Sequence, residues 1–153
     1  MYSKEQSTSI RQEFWTTFGQ FMSLTPGAEG NRINWINYKT GIKHLYFKME
    51  VDKKSASIAI EMAHPDTGVQ ALMFEQFDVY RQVLESELEE KWVWELHTSN
   101  EYQRTVSRIY ITLPGVSIFR KEDWPLMGNF FKTRLIRLDE FWSAAKYGFD
   151  LFK

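Results

Sequence analysis

The chain has 153 residues, 43% hydrophobic and 25% charged, a composition typical of one globular domain over residues 1–153 and unlike that of disordered or fibrous chains. Its formal net charge of −1 excludes an overall electrostatic attraction to nucleic acid or to an anionic membrane, so any such binding must depend on a local patch. The absence of cysteine excludes disulfides, thiolate metal sites and cysteine nucleophiles.

The first predicted element is an amphipathic helix over residues 9–22. Phe14, Phe18 and Phe21 recur there at helical spacing, and Ser7 or Ser9 can cap the N-terminus. The preceding residues lack the apolar region of a secretory signal, and nowhere do about 18 apolar residues follow one another. We therefore expect a cytoplasmic protein with no membrane partner.

A loop and a β-hairpin come next. Proline and glycine predict a loop over residues 25–32, and residues 33–41 suit either a short strand or an irregular turn. Residues 43–62 alternate apolar and polar positions on two arms, which predicts a hairpin with its turn at residues 52–55. The apolar positions are Leu45, Phe47, Met49, Val51, Ala56, Ile58, Ile60 and Met62.

The second half repeats this pattern of helix and hairpin. Apolar periodicity predicts one helix over residues 66–88, and alternation over residues 92–113 predicts a second hairpin with its turn near residues 98–101. Trp92, Trp94 and Leu96 share one face of its first arm. Residues 116–119 suit a short strand or a crossing connection.

The last predicted element is a long helix. It begins at Asp123 as a capping residue, has Pro125 in its first turn, and frays or ends near Gly148. The resulting order, α-ββ-α-ββ-α, predicts a two-layer α+β fold in which three helices cover an antiparallel sheet of about four strands.

Residues 72–96 and 107–142 carry a family resemblance. A Phe near the start of a helix, a Glu-rich helix end, a Trp-Glu strand, a Ser-Arg-Ile strand and a Trp near the start of the last helix recur in this order. The chain thereby resembles a bacterial family described as domain of unknown function 4268, and residues 11–15 and 35–51 match it too. Because family members occur alone or fused behind nuclease-like modules, the resemblance implies an association with DNA restriction or defence. We expect this chain to be a stand-alone member.

A metal-dependent nuclease is one hypothesis that the acidic residues allow. Such an enzyme needs acidic side chains beside an acidic-x-Lys sequence, and Asp52 and Lys54 fit that string, with Glu50 and Glu61 nearby. Asp52 and Lys54 fall in the predicted turn, however, where polar residues are ordinary turn formers. A degenerate or divergent metal-dependent nuclease-like enzyme therefore stays as the alternative, and we predict no catalytic residue.

The remaining chemical motifs are absent. His44, His64 and His97 lie far apart in the sequence without the spacing of metal ligands, and no glycine-rich phosphate loop occurs. We therefore predict no metal site and no cofactor.

A binding site is indicated by basic residues that lie beside aromatic ones. Rings that stack on bases and cations that contact phosphates form single-strand platforms, although the same pattern occurs on the solvated face of an ordinary sheet. The candidate binding residues are Trp35, Tyr38, Lys39, Lys43, His97, Arg104 and Arg108.

Aromatic residues are unusually frequent, at 16% of the chain, and several lie near its end. Trp142, Tyr147, Phe149 and Phe152 suit either a ring-rich core or a surface covered by a partner or by a second copy. The sequence thus favours a non-enzymatic accessory or binding domain that forms a homodimer and has a protein or nucleic-acid partner.

Overall fold

The computed structural model describes residues 2–153, and within them lie four α-helices and one four-stranded sheet. The elements in chain order are α1 (Lys4–Met22), β1 (Leu45–Val51), β2 (Ser55–Met62), α2 (Thr67–Val79), α3 (Arg81–Leu88), β3 (Val93–Ser99), β4 (Thr105–Pro114) and α4 (Trp124–Ala145). Short 3-10 helices precede and follow α4, at Lys121–Asp123 and Lys146–Phe152.

The predicted α+β class is confirmed. All strand pairs are antiparallel and the sheet order is β1-β2-β4-β3, so β1 and β3 are the two edges. The alternating residues of both hairpins place apolar side chains on one face, where α2 and α4 pack against the strands. The core contains many of the aromatic side chains, including Phe77, Phe131 and Trp142.

The predicted helix over residues 66–88 is two helices. The backbone leaves helical geometry at Tyr80, with φ −96° and ψ 9°, so that α2 lies against the sheet while α3 packs on α4. The Tyr80 side chain lies directly over Gly148, where an added Cβ would be 2.0 Å from the phenol oxygen. The break therefore helps to dock the C-terminal segment.

The start of the first helix and the capping of the last differ from the prediction. The first helix begins at Lys4 because Ser3 caps it: the Ser3 hydroxyl accepts from the Gln6 N–H, and the Gln6 side chain accepts from the Ser3 N–H. At α4, Asp123 occupies the N-cap position as predicted, but its carboxylate makes no capping bond and accepts from the Ser117 N–H and from Arg120 instead. Pro125 does lie in the first turn of that helix.

The second hairpin is less regular than predicted. Its turn covers residues 100–104, later in the chain than expected, and the pairing register shifts between Glu95 and Thr98. His97 lies in this bulge with a positive φ of 52°. Leu96 is therefore exposed and does not share a buried face with Trp92. The first hairpin has its turn as predicted, closed by the bond from the Asp52 N–H to the Ser55 carbonyl at 3.0 Å.

The two segments for which the sequence allowed either a strand or an irregular structure are both irregular. Residues 33–41 form turns and bends, and residues 116–119 form a crossing connection whose Ile118 N–H donates to the Asp52 carbonyl at 3.0 Å. No helix within residues 2–153 has the length and apolarity needed to span a bilayer.

Candidate binding groove beside the first strand

The sheet face opposite the helices carries rows of polar and aromatic side chains. One row across the four strands is Tyr46, Glu61, Arg108 and Glu95, and the next is Lys48, Ala59, Tyr110 and Val93. Because residues directly opposite each other in a sheet share a face, these side chains form one continuous surface. We call it the open face.

Lys48 is the centre of a charge cluster on the open face. Its ammonium lies 2.9 Å from Glu101, 3.2 Å from Glu50 and 3.4 Å from Glu61. Burial favours a lower pKa for Lys48, but the hydrogen bond to Glu101 and the charges of Glu61 and Glu50 outweigh it, so the pKa is raised. The hydrogen bond from Lys48 in turn lowers the pKa of Glu101. One ammonium and three carboxyl groups thus meet in this cluster, so its formal charge is negative.

Arg108 also lies on the open face and is already paired. Its Nε donates to Glu95 at 2.9 Å, and its guanidinium lies 4.8 Å from the centre of the Tyr110 ring. This cation adds no free positive charge to the surface.

The segment before β1 is held by contacts with distant parts of the chain. The Tyr38 hydroxyl donates to Asp139 of α4, and the Trp142 indole N–H donates to the Thr40 carbonyl at 2.8 Å. The Tyr38 ring stacks on Phe47 of β1, with 4.9 Å between ring centroids. Burial, and then the hydrogen bond to Asp139, raise the pKa of Tyr38 above its usual range. The segment is therefore fixed alongside the edge of the sheet.

Between this segment and β1 lies a groove of about 660 Å³, which we call the β1 groove. One wall is four consecutive strand residues, Tyr46 to Met49, and the other is residues 36–39 together with Trp15 of α1. A second hollow of about 560 Å³, with Arg104 and His44 in its wall, shares Tyr46, Asn100 and Tyr102 with the groove. The two exposed tyrosines thus stand where the hollows meet.

The structure brings three of the predicted binding residues to these hollows. Tyr38 and Lys39 line the β1 groove, and Arg104 lines the second hollow. Within residues 2–153, neither Lys39 nor Arg104 makes an ion pair. Tyr46 and Tyr102 are not among the candidate binding residues predicted from the sequence, although both belong to the same pattern of rings beside basic residues.

The other predicted binding residues lie elsewhere or are occupied. Trp35 is only 3% exposed and its indole N–H donates to the Thr25 carbonyl at 2.9 Å, so its ring is not accessible to a base. His97 lies in the β3 bulge with its Nε2 2.9 Å from the Thr67 carbonyl oxygen. Lys43 is exposed but lines neither hollow, and Arg108 is paired as described above.

The acidic residues considered for a nuclease serve the hairpin instead. The Asp52 carboxylate accepts from the N–H groups of Lys54 at 2.8 Å and Ser55 at 2.7 Å. Burial opposes the effect, but these bonds lower the pKa of Asp52. Glu50 and Glu61 contact Lys48. Within residues 2–153, no three His, Cys, Asp or Glu side chains are grouped so that they could hold a metal ion.

Fold and surface together define a class: an α+β domain whose antiparallel sheet has one face not covered by helices and, beside β1, a groove whose second wall is a loop together with Trp15 of α1. The model of the family described as "Domain of unknown function (DUF4268)" matches residues 10–146, and the chain belongs to this family. No curated protein and no solved structure matches the chain.

Proposed function

We propose that this protein is a non-catalytic binding module that recognises a polypeptide partner at the β1 groove. The observation that carries the proposal is the pair of exposed rings at the junction of the two hollows. Tyr46 is 50% exposed and Tyr102 is 71% exposed. Tyrosines that combine a large apolar surface with a polar tip are enriched where proteins bind one another.

The charges beside these rings favour a polypeptide over a polyanion. Three carboxylates, those of Glu50, Glu61 and Glu101, surround the single ammonium of Lys48. A phosphate backbone that crossed this surface would meet uncompensated negative charge, whereas a peptide offers both signs of charge and backbone donors. Lys39 and Arg104 are available at the rim for carboxylates or carbonyl oxygens of the partner.

Single-stranded nucleic acid is the second candidate ligand. The specific observation in its favour is that the exposed rings lie between two cations without ion pairs, Lys39 and Arg104, in the manner of a stacking platform. Because the family resemblance implies an association with restriction or defence systems, a nuclease-like protein is the polypeptide partner that we would test first.

Selection from a random peptide display library tests the proposal. We expect enriched peptides that bind the purified domain with micromolar dissociation constants, and we expect Tyr102→Ala to weaken that binding about tenfold or more, since aromatic anchors commonly contribute above 1 kcal/mol. Tyr147→Ala is the matched control, because Tyr147 is also exposed, at 64%, but does not line the β1 groove.

Two results would contradict the proposal. One is the absence of any peptide that discriminates between the two tyrosine variants. The other is saturable binding of single-stranded DNA or RNA that weakens steeply with salt and depends on Lys39 and Arg104, which would establish the second candidate instead. Self-association stays a separate prediction, which sedimentation at several protein concentrations decides.

A further inference from the structure

We infer that the β1 groove binds its partner by strand addition: an extended peptide segment pairs with the free edge of β1. The inference rests on the proposed function, because it requires that the groove binds a polypeptide. It adds the mode of binding and the sequence pattern of the segment. Strand addition is a recurrent way in which domains with an exposed sheet edge hold peptides.

The hydrogen bonds at the two ends of the first hairpin determine which backbone groups of β1 are free. In an antiparallel pair, alternate residues direct both N–H and C=O towards the partner strand, and the residues between them direct both groups away. Asp52 bonds to Ser55 at the turn end, and the Ala63 N–H donates to the His44 carbonyl at the other end. By this alternation Tyr46, Lys48 and Glu50 bond to β2, and the odd-numbered residues face the edge.

The chain itself covers both ends of that edge but not its middle. The Leu45 carbonyl accepts from the Thr40 hydroxyl at 3.0 Å, and the Val51 carbonyl accepts from the Arg11 guanidinium. Phe47 and Met49 lie between them, and within residues 2–153 no side chain or loop bonds to their outward N–H and C=O groups. Both residues line the β1 groove, so two donors and two acceptors are directed towards it.

The surroundings specify the side chains of the added strand. Alternate residues of the incoming segment would point to opposite faces. On the core side they meet Trp15, Ile36 and Met49, which suit apolar side chains. On the open face they pass Lys48, a residue of the groove wall whose ammonium lies 3.2 Å from Glu50 and 2.9 Å from Glu101. These carboxylates are 53% and 48% exposed, and the excess of negative charge there suits lysine or arginine. The segment is therefore an extended strand in which apolar and basic residues alternate.

A single strand suits this groove better than the sheet edge of a second copy. The wall formed by residues 36–39 stands opposite β1, and a folded domain that approached the edge would meet it first. A peptide needs only the space between the two walls. Pairing of two copies through β1 is nevertheless an outcome that the experiment distinguishes.

The test uses a capped octapeptide of alternating valine and lysine and two N-methylated versions of it. In one version every valine is N-methylated, and in the other every lysine is. Because an added strand directs only alternate N–H groups towards β1, one version should lose binding about tenfold or more while the other keeps it. Loss with N-methyl valine indicates antiparallel addition, and loss with N-methyl lysine indicates parallel addition. An alternating valine and glutamate peptide should bind more weakly than the parent.

Amide hydrogen exchange supplies the second readout on the full chain. In the free protein we expect fast exchange at Phe47 and Met49 and slow exchange at Tyr46 and Lys48, and we expect millimolar parent peptide to slow Phe47 and Met49 about tenfold. Equal effects of both N-methylated versions, no change at these amides, or protection that depends on protein concentration without peptide would overturn the inference. If display-selected peptides still depend on Tyr102 in that case, the proposed function stands; if none does, both fail.

Discussion

The two edges of the sheet are built differently. β1 pairs with β2 through seven consecutive positions without a shift, whereas β3 pairs with β4 through a bulge between Glu95 and Thr98. A bulge twists an edge strand and interrupts its row of backbone groups, which is one way in which proteins prevent unwanted strand pairing. The β3 edge is therefore closed to an added strand by its own geometry, while the middle of β1 is open.

The supports of the two edges differ as well. At the bulge, the His97 N–H donates to the Ser107 hydroxyl at 3.0 Å, and that hydroxyl donates to the Gln70 side chain of α2 at 2.7 Å. Beside β1, the supports are the bonds from Trp142 to Thr40 and from Tyr38 to Asp139. The closed edge is thus fixed by a buried polar network that joins the sheet to α2. The open edge depends on one loop that is anchored to α4.

Removal of the Trp142 ring should have the largest effect on stability, and it should disturb the β1 edge of the sheet. The ring lies 6.0 Å from Phe47 and 5.0 Å from Phe149, between centroids, and is almost fully buried. We expect Trp142→Ala to lower the free energy of unfolding by about 3–5 kcal/mol, measured by urea denaturation. Trp142→Phe keeps a ring and loses the bond to the Thr40 carbonyl. It should cost about 1–3 kcal/mol and should weaken peptide binding at the groove; unchanged binding would show that this anchor does not shape the groove.

Substitution of Gln70 tests how the β3 edge is supported. Its amide N–H groups donate to the carbonyls of His64 at 2.9 Å and Thr105 at 3.0 Å, and the side chain is fully buried. Gln70→Ala leaves these partners and Ser107 without their bonds, so we expect a loss of about 2 kcal/mol in urea denaturation. The exposed Gln82 of α3 is the control, with a change below about 0.5 kcal/mol on substitution by alanine. Equal costs at the two positions would show that the bulge needs no polar support.

The regular edge could be predicted from the sequence, and the irregular one could not. Alternation from Leu45 to Val51 indicates a strand because every second residue is apolar, and the structure keeps that alternation. At the bulge, His97 has a positive φ, which histidine adopts only in a small minority of cases, so the residue type is too weak a signal to locate the bulge. The break at Tyr80 is equally hidden, since the apolar periodicity continues through it.

The candidate site was predictable only in part, for a related reason. Tyr38 and Asp139 are 101 positions apart in the chain, and only the fold shows that they meet. The ring-and-cation pattern did indicate Lys39 and Arg104, which line the two hollows. It could not separate these from Trp35, because a tryptophan beside basic residues suits a core as well as a surface.

The smallest effect should come from Tyr38→Phe. This variant tests how the loop that forms the second wall of the groove is anchored to α4. At pH 8 the variant loses the hydrogen bond to Asp139, and we expect a cost of about 1 kcal/mol. The ordinary pKa of tyrosine is 10.0, and that of Tyr38 is raised in the folded protein. Above pH 10 the unfolded chain therefore releases a proton that the folded protein retains. The stability from this proton is fully present below pH 10 and declines as pH rises.

Above pH 10, the free energy of unfolding of the wild type should consequently fall faster than that of Tyr38→Phe, by up to about 1.4 kcal/mol per pH unit. We expect a smaller difference than this limit, because the Tyr38 ring is only half-buried. Urea denaturation at pH 8 and pH 11 measures the difference, which should shrink or change sign at the higher pH. Gln70→Ala is the control, since glutamine does not titrate and its deficit should stay constant. A Tyr38→Phe deficit that also stays constant would mean that the phenol is not held protonated by burial and Asp139, and the loop would then need another anchor.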